Sequence, residues 1–213
     1  MKLYTYFRSS ASYRVRIAMN LKGIQYHSEG VSLLDASHKS ATYLQTNPQG
    51  LLPALELGDG SVIAQSTAIL EYLEETHPDP ALLPADPLQR SRVRSLANHI
   101  ACDIHPLNNL RVLHYLRDEM NADQPQLDQW YAQWVQRGFA AIETVLQEGN
   151  GHVCFGERPG LADCYLIPQV YNALRFKVDL GQYSAIQGVY DHCNTLQAFQ
   201  MAHPDRQADK PGE

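Results

Sequence analysis

The chain has 213 residues and a formal net charge of −6, from 17 lysines and arginines against 23 aspartates and glutamates. That length supports a core without disulfides, and the acidic balance argues against nucleic acid as the main partner. Hydrophobic residues make up 44%, yet no run approaches the roughly 18 apolar residues of a membrane helix, so no membrane partner is expected.

The chain opens directly on a strand pattern, without the basic and apolar segments of a signal peptide. Its four cysteines, at 102, 154, 164 and 193, have no C-x-x-C or zinc-ligand spacing. Reduced thiols in a cytoplasmic protein are expected. Nine histidines form no H-E-x-x-H, and no metal site is expected.

Residues 3–7 read as a short apolar strand. The helical pattern at about 11–22 puts Val15, Ala18, Met19 and Lys22 on one side, with Ile17 and Leu21 beside them. Gly23 suits the stop of that helix. An extended run over 26–33 follows, so the order strand, helix, strand implies a parallel pair with a right-handed crossover. Residues 35–46 are polar and irregular and read as a loop with room for a helical turn. Asn47-Pro48-Gln49-Gly50 marks a turn, 51–57 a strand, Gly58-Asp59-Gly60 a hairpin turn and 61–64 the return strand. Ser66 is expected to cap a helix at 67–76 with the stripe Ile69, Leu70, Tyr72 and Leu73. A βαβ unit followed by ββα around one mixed sheet is the thioredoxin-like order.

Between 77 and 87 the periodicity breaks, and four prolines fall at 78, 80, 84 and 87. Beyond them the chain shows helical periods: 93–104, then 107–116 after a kink or break at Pro106, then 127–146, 161–176 and 186–202. Gly149-Asn150-Gly151 stops the long helix. The tail over 203–213 is polar and is expected to fray. The fold class is therefore an α/β thioredoxin-like domain at 1–80, a linker at 81–87 and an all-α domain at 88–213.

The segment Phe7-Arg8-Ser9-Ser10-Ala11-Ser12-Tyr13-Arg14-Val15-Arg16 sits where the first strand hands over to the first helix. A helix start leaves backbone N–H groups without intrahelical partners and carries the positive end of the helix dipole. Serine hydroxyls add donors, and arginines 8, 14 and 16 raise the positive potential. The pattern proposes an anion or thiolate site. Plain capping by the serines accounts for the same residues.

The layout resembles the glutathione transferase superfamily, and residues 8–16 resemble its zeta class, whose signature is S-S-C-x-[WHY]-R-V-R. Asn47-Pro48, Leu52-Pro53, Gln65-Ser66, His105-Pro106-Leu107-Asn108-Asn109-Leu110, Leu161-Ala162-Asp163, Val170 and Arg175-Phe176-Lys177-Val178-Asp179-Leu180 match in order. Ala11 departs from the class pattern, which has cysteine there, so the chemistry would rest on Ser9, Ser10 and the cofactor's own sulfur. Gly160 stands where a serine or threonine usually caps, at a cost of only a few tenths of a kcal/mol.

The resemblance implies a homodimer that uses glutathione and a small keto-acid. The reaction would be cis–trans isomerisation of maleylacetoacetate to fumarylacetoacetate in tyrosine and phenylalanine breakdown. Maleylpyruvate is the alternative substrate, and Leu110 weighs against it, because a shorter, more anionic substrate would recruit another arginine. A general glutathione transferase or peroxidase of the class, or a non-catalytic module of the same fold, would be the other readings.

Ser9, then Ser10, would touch the sulfur. Leu52-Pro53, through a cis proline, would dock the cysteinyl part, and Gln65-Ser66 would hold the γ-glutamyl carboxylate. Ala11, Ser12, Tyr13, Arg14, His38, His105, Asn109, Leu110 and Arg111 complete the implied cofactor contacts. Arg8, Asn108 and Arg175 would meet the substrate, with Arg8 and Arg175 opposing the negative charge that builds during reaction.

Overall fold

β1 (Lys2–Thr5) pairs in parallel with β2 (His27–Gly30) and antiparallel with β3 (Ala54–Glu56), and β3 returns antiparallel as β4 (Val62–Ala64). The sheet order is β2-β1-β3-β4 in this computed structural model, which describes residues 1–149 and 151–211. The chain divides into two units, Met1–Leu82 with Asn194–Glu213, and Leu83–Cys193.

In the first unit, β1 buries Leu3 and Thr5 on one face. It stops two residues before the apolar run does, because Tyr6 and Phe7 leave the ladder for a cluster with Val31, Tyr43 and Leu52. β2, an edge strand with one partner, is exposed throughout and shorter than its apolar pattern. α1 (Ser10–Leu21) packs against α3 (Ser66–Thr76) and α9 (Gln197–Ala202). Gly23 follows α1 with φ +65°, a conformation that glycine takes at little cost.

Residues 35–46 are more ordered than a loop. A 3₁₀ turn at Ser37–Lys39 leads into α2 (Ala41–Thr46), whose cap Ser40 accepts from the Tyr43 N–H at 3.2 Å. One buried side chain, Tyr43, anchors that helix, too little for a period to show. At α3 the cap position belongs to Gln65 instead of Ser66, which is the first helical residue.

α1 and α3 are joined by a buried ion pair. Lys22 Nζ lies 2.7 Å from Glu74 Oε2, with side-chain exposures of 0% and 7%. The same ammonium donates to the carbonyls of His77 and Pro80 at 2.7 and 3.0 Å. Glu74 accepts the Leu82 N–H at 3.0–3.1 Å through its two oxygens. The proline-rich stretch is thus pinned by one pair of side chains.

The expected tail fraying does not occur over the described residues. Leu196, in extended conformation, divides the expected 186–202 helix into α8 (Ser184–Thr195) and α9. Gln200 Nε2 donates to the carbonyls of Asn194 and Thr195, satisfying the end of α8. A 3₁₀ turn at Pro204–Arg206 follows, with Pro204 buried, and Asp209 Oδ2 accepts the Phe7 N–H at 2.8 Å.

The second unit is helical. Asp86 caps α4 (Pro87–Asn98), with Pro87 in the first turn where its missing N–H costs nothing. The helix widens into a π-helical segment at His99–Ile104, where Ile104 sits so close to Gly138 that a Cβ there would overlap it. Asn109 caps α5 (Leu110–Asp118). Reciprocal bonds between Asp123 and Gln126 start α6 (Gln124–Leu146) three residues before its apolar stripe. Asn150, in the expected helix stop, lies outside the described residues.

α7 (Leu161–Arg175) is buried along most of its length. Asp163 reaches back to the Gly160 N–H and also takes the Cys154 N–H, both at 2.8 Å. Cys154, Cys164 and Cys193 are buried and Cys102 is exposed, all as free thiols. Burial, then the neighbouring Asp163 charge, pushes the Cys154 thiol well up. No helix among the described residues is long and apolar enough to cross a membrane.

Candidate active site

The loop between β1 and α1 is a hydrogen-bonded turn, closed by the Ser9 N–H donating to the Tyr6 carbonyl at 2.9 Å. Ser9 is the N-cap of α1, and its Oγ accepts from the Ser12 N–H at 3.2 Å. That bond uses the oxygen lone pair and leaves the hydroxyl proton to donate. Capping and sulfur contact are therefore compatible roles for one side chain. Ser10 opens the helix and is buried, Ala11 is half-buried, and Ser12 Oγ is buried without a partner among the described residues. Arg8 is half-buried, with its guanidinium 4.9 Å from the Phe7 ring centre and 3.4 Å from Tyr6 Oη.

Arg14 and Arg16 do not form a surface field with Arg8, because both are buried. Arg16, with 0% exposure, donates to the carbonyls of Ala202 and Phe7 at 3.0 Å and to Thr5 Oγ1 at 2.9 Å. It fastens the start of α1 to the end of β1. Arg14 Nη1 reaches Ser66 Oγ at 3.3 Å, at the start of α3. Tyr13 is a core residue, edge-on to His203.

The Leu52–Pro53 bond is cis. Tyr43 Oη and Asn47 Nδ2 both donate to the Leu51 carbonyl, at 2.7 and 2.8 Å, and hold this strand entry in place. Neither the N–H nor the C=O of Leu52 is taken up by another described residue. Gln65 has φ 72°, ψ 123°, a strained conformation costing about 1–3 kcal/mol. Its Nε2 donates to Gln49 Oε1 at 2.6 Å. His38 Nδ1 stands 3.4 Å from the Ser32 carbonyl, and its own carbonyl lies against Gly50.

Within the first unit, Ser9 and Arg14 share α1, Arg14 bonds Ser66 at the start of α3, and the preceding Gln65 bonds Gln49. Tyr43 has no motif to mark it in the sequence, and Asn47 and Gln49 are marked only as part of a turn and, for Asn47, by the resemblance. The donor set fits glutathione: a serine-lined helix start for a thiolate, a free backbone N–H and C=O for a peptide, and Arg14, Gln65 and Ser66 for a carboxylate at a second helix start.

The second unit holds the other candidates. Asn108 is buried, donates to the Tyr131 carbonyl at 3.4 Å, and leaves Oδ1 without a partner among the described residues. Tyr131 stacks on Phe176 at 3.9 Å between ring centres, and the Arg175 guanidinium lies 4.5 Å from the Phe176 ring centre. Asn108 and Arg175 are thereby tied to one aromatic stack, with Arg175 exposed in the last turn of α7. His105 is half-buried just after the π-helical segment, Asn109 is spent on capping α5, and Leu110 and Arg111 are exposed.

Sheet order and the serine-started first helix are those of a glutathione transferase, and residues 8–76 match the family described as "Glutathione S-transferase, N-terminal domain". Maleylacetoacetate isomerase of Pseudomonas aeruginosa is 50% identical over 213 residues, with 99% of each chain covered. A bacterial maleyl pyruvate isomerase structure, described as a zeta-class glutathione S-transferase, superposes with TM-score 0.96 at 46% identity, covering 99% of this chain and 100% of that one. Maleylacetoacetate isomerase from Anaeromyxobacter dehalogenans, solved with glutathione in its active site, gives TM-score 0.89 at 44% identity, covering 99% and 97%. The chain belongs to the zeta-class glutathione transferase family, which includes the maleylacetoacetate and maleylpyruvate isomerases.

Proposed function

We propose that the chain is a glutathione-dependent isomerase that converts maleylacetoacetate to fumarylacetoacetate in tyrosine and phenylalanine breakdown. The observation that carries this reading is the Ser9-Ser10 start of α1, joined through Arg14 to Ser66 in a unit suited to the cofactor. When bound, glutathione supplies a thiolate that adds to the cis double bond and leaves again after rotation. Ser9 and the first-turn amides hold the sulfur in its charged form. Ser10 is the second donor.

Leu52 pairs its N–H and C=O with the cysteinyl backbone, and Pro53 sets the direction of that pairing. Gln65, Ser66 and Arg14 hold the γ-glutamyl carboxylate. Ala11, Ser12, Tyr13, His38, His105, Asn109, Leu110 and Arg111 complete the cofactor set by resemblance. Arg8 and Arg175 bind the substrate carboxylates and oppose the negative charge that develops on its oxygen, and Asn108 orients it. A cytoplasmic homodimer completes the reading.

Maleylpyruvate is the second reading, supported by the similarity to the maleyl pyruvate isomerase structure. The test is the isomerisation rate of each substrate with and without glutathione. A fast rate on maleylacetoacetate that vanishes without glutathione is expected. No rate on either substrate, with glutathione still bound, would leave a conjugating transferase.

Arg175→Ala should lower kcat/KM for the keto-acid by roughly 10- to 100-fold, the scale of a lost charged hydrogen bond. Its glutathione Kd, measured by titration calorimetry, should stay at the wild-type value. Abolished glutathione binding would mean that Arg175 serves the cofactor instead.

A further inference from the structure

We propose that Asp209, 202 positions along the chain from Phe7, is a positioning residue for the Ser9 loop. The assignment rests on the reading of Ser9 as the sulfur donor. Tyr6-Phe7-Arg8-Ser9 is a turn closed by one internal bond, Ser9 N–H to Tyr6 carbonyl. One such bond leaves Phe7, at the first corner, with an N–H and a C=O that the turn itself does not use. Both are engaged from outside. Asp209 Oδ2 accepts the Phe7 N–H at 2.8 Å, and Arg16 Nη2 donates to the Phe7 carbonyl at 3.0 Å. Phe7 has only 5% exposure, so water is a poor substitute for either partner.

The C-terminal segment is built to deliver this carboxylate. Arg16 Nε holds the Ala202 carbonyl at 3.0 Å, which ties the end of α9 to the same guanidinium that grips Phe7. Pro204 is buried, and Lys210 Nζ bridges back to Asp205 at 2.8 Å. Gly30, the last residue of β2, is the seat: a Cβ there would come within 2.8 Å of Asp209 Cβ, an approach that real Cβ atoms do not make. The strap has no large apolar side chain after Pro204, so its place at the loop is set by these polar contacts. Arg16 and Asp209 thus hold the peptides on either side of Phe7, two residues before Ser9, and fix where its hydroxyl points. Misplacement of a reacting group by about 1 Å can cost 10²-fold in rate.

The test uses the full chain and three variants: Asp209→Ala, Asp209→Asn and Gly30→Ala. Asp209→Asn keeps an acceptor oxygen. Gly30→Ala keeps the carboxylate and pushes it from its seat. The readouts are the thiolate absorbance of bound glutathione against pH and the kcat/KM for isomerisation.

Asp209→Ala and Gly30→Ala should each lower kcat/KM roughly 10-fold and move the bound thiol's titration up by about one unit, the equivalent factor. Asp209→Asn should stay within about threefold of wild type, as one retained acceptor predicts. If Asp209→Ala does not fold, the other two variants carry the test. A wild-type thiol titration in both Asp209→Ala and Gly30→Ala would overturn the assignment while leaving the isomerase reading intact. A wild-type protein that binds no glutathione would overturn both.

Discussion

Ser9→Ala is expected to lower turnover by roughly 10²- to 10³-fold, the scale for losing one preorganised donor at a developing charge. Two effects overlap in this variant and their sizes separate them. As N-cap, Ser9 accepts from the Ser12 N–H, and an alanine there costs about 1 kcal/mol of stability. That loss lowers the melting temperature by a few degrees and leaves the folded fraction near unity. It cannot account for a hundredfold fall in kcat. Ser9→Asp supplies the control, because a carboxylate caps as well as a hydroxyl but repels a thiolate. The expected pattern is near-wild-type stability with the rate still lost. An unchanged rate in Ser9→Ala would transfer the role to Ser10 or to the backbone amides.

Lys22→Met should destabilise the fold by about 3–5 kcal/mol, the cost of leaving a buried charge without its partner. The urea midpoint reads it. The ammonium's three protons are matched by three acceptors, Glu74 Oε2 and the carbonyls of His77 and Pro80. Removing it strands the buried Glu74 carboxylate and two carbonyls together. Replacing a buried pair by apolar residues is often neutral. Here Lys22→Met with Glu74→Leu should recover only part of the loss, because the Leu82 N–H also loses its acceptor. A single variant within about 0.5 kcal/mol of wild type would show that water replaces the ammonium.

Much of the fold was legible because its signals are local. The Gly58-Asp59-Gly60 turn and the 3.6-residue stripes of α3 and α6 each lie within a few residues of what they determine, whereas Asp86 and Pro87, read as linker, are the start of α4. The Ser9 cap was legible for the same reason. Part of what escaped depends on partners distant in sequence. Nothing local distinguishes Arg16, buried against Ala202 and Phe7, from Arg8, which is half exposed. The polar tail gave no sign that Asp209 meets a backbone N–H at the other end of the chain. Tyr43 and Asn47 converge on the Leu51 carbonyl through a loop whose short helix has no period. Gln65 carries a backbone strain that no composition signals.

Ala11 has a consequence for how this chemistry is assembled. All four cysteines fall within Leu83–Cys193, so the unit that carries the Ser9 loop has no sulfhydryl of its own. In the proposed reaction the nucleophile is an interchangeable part that arrives and departs by diffusion, and dialysis should remove it without leaving a residual thiol in that unit. Synthetic tripeptides with selenium or oxygen in place of sulfur then become direct substitutions of the reacting atom. Chemistry that usually needs a rewritten gene becomes a matter of what is dissolved in the buffer.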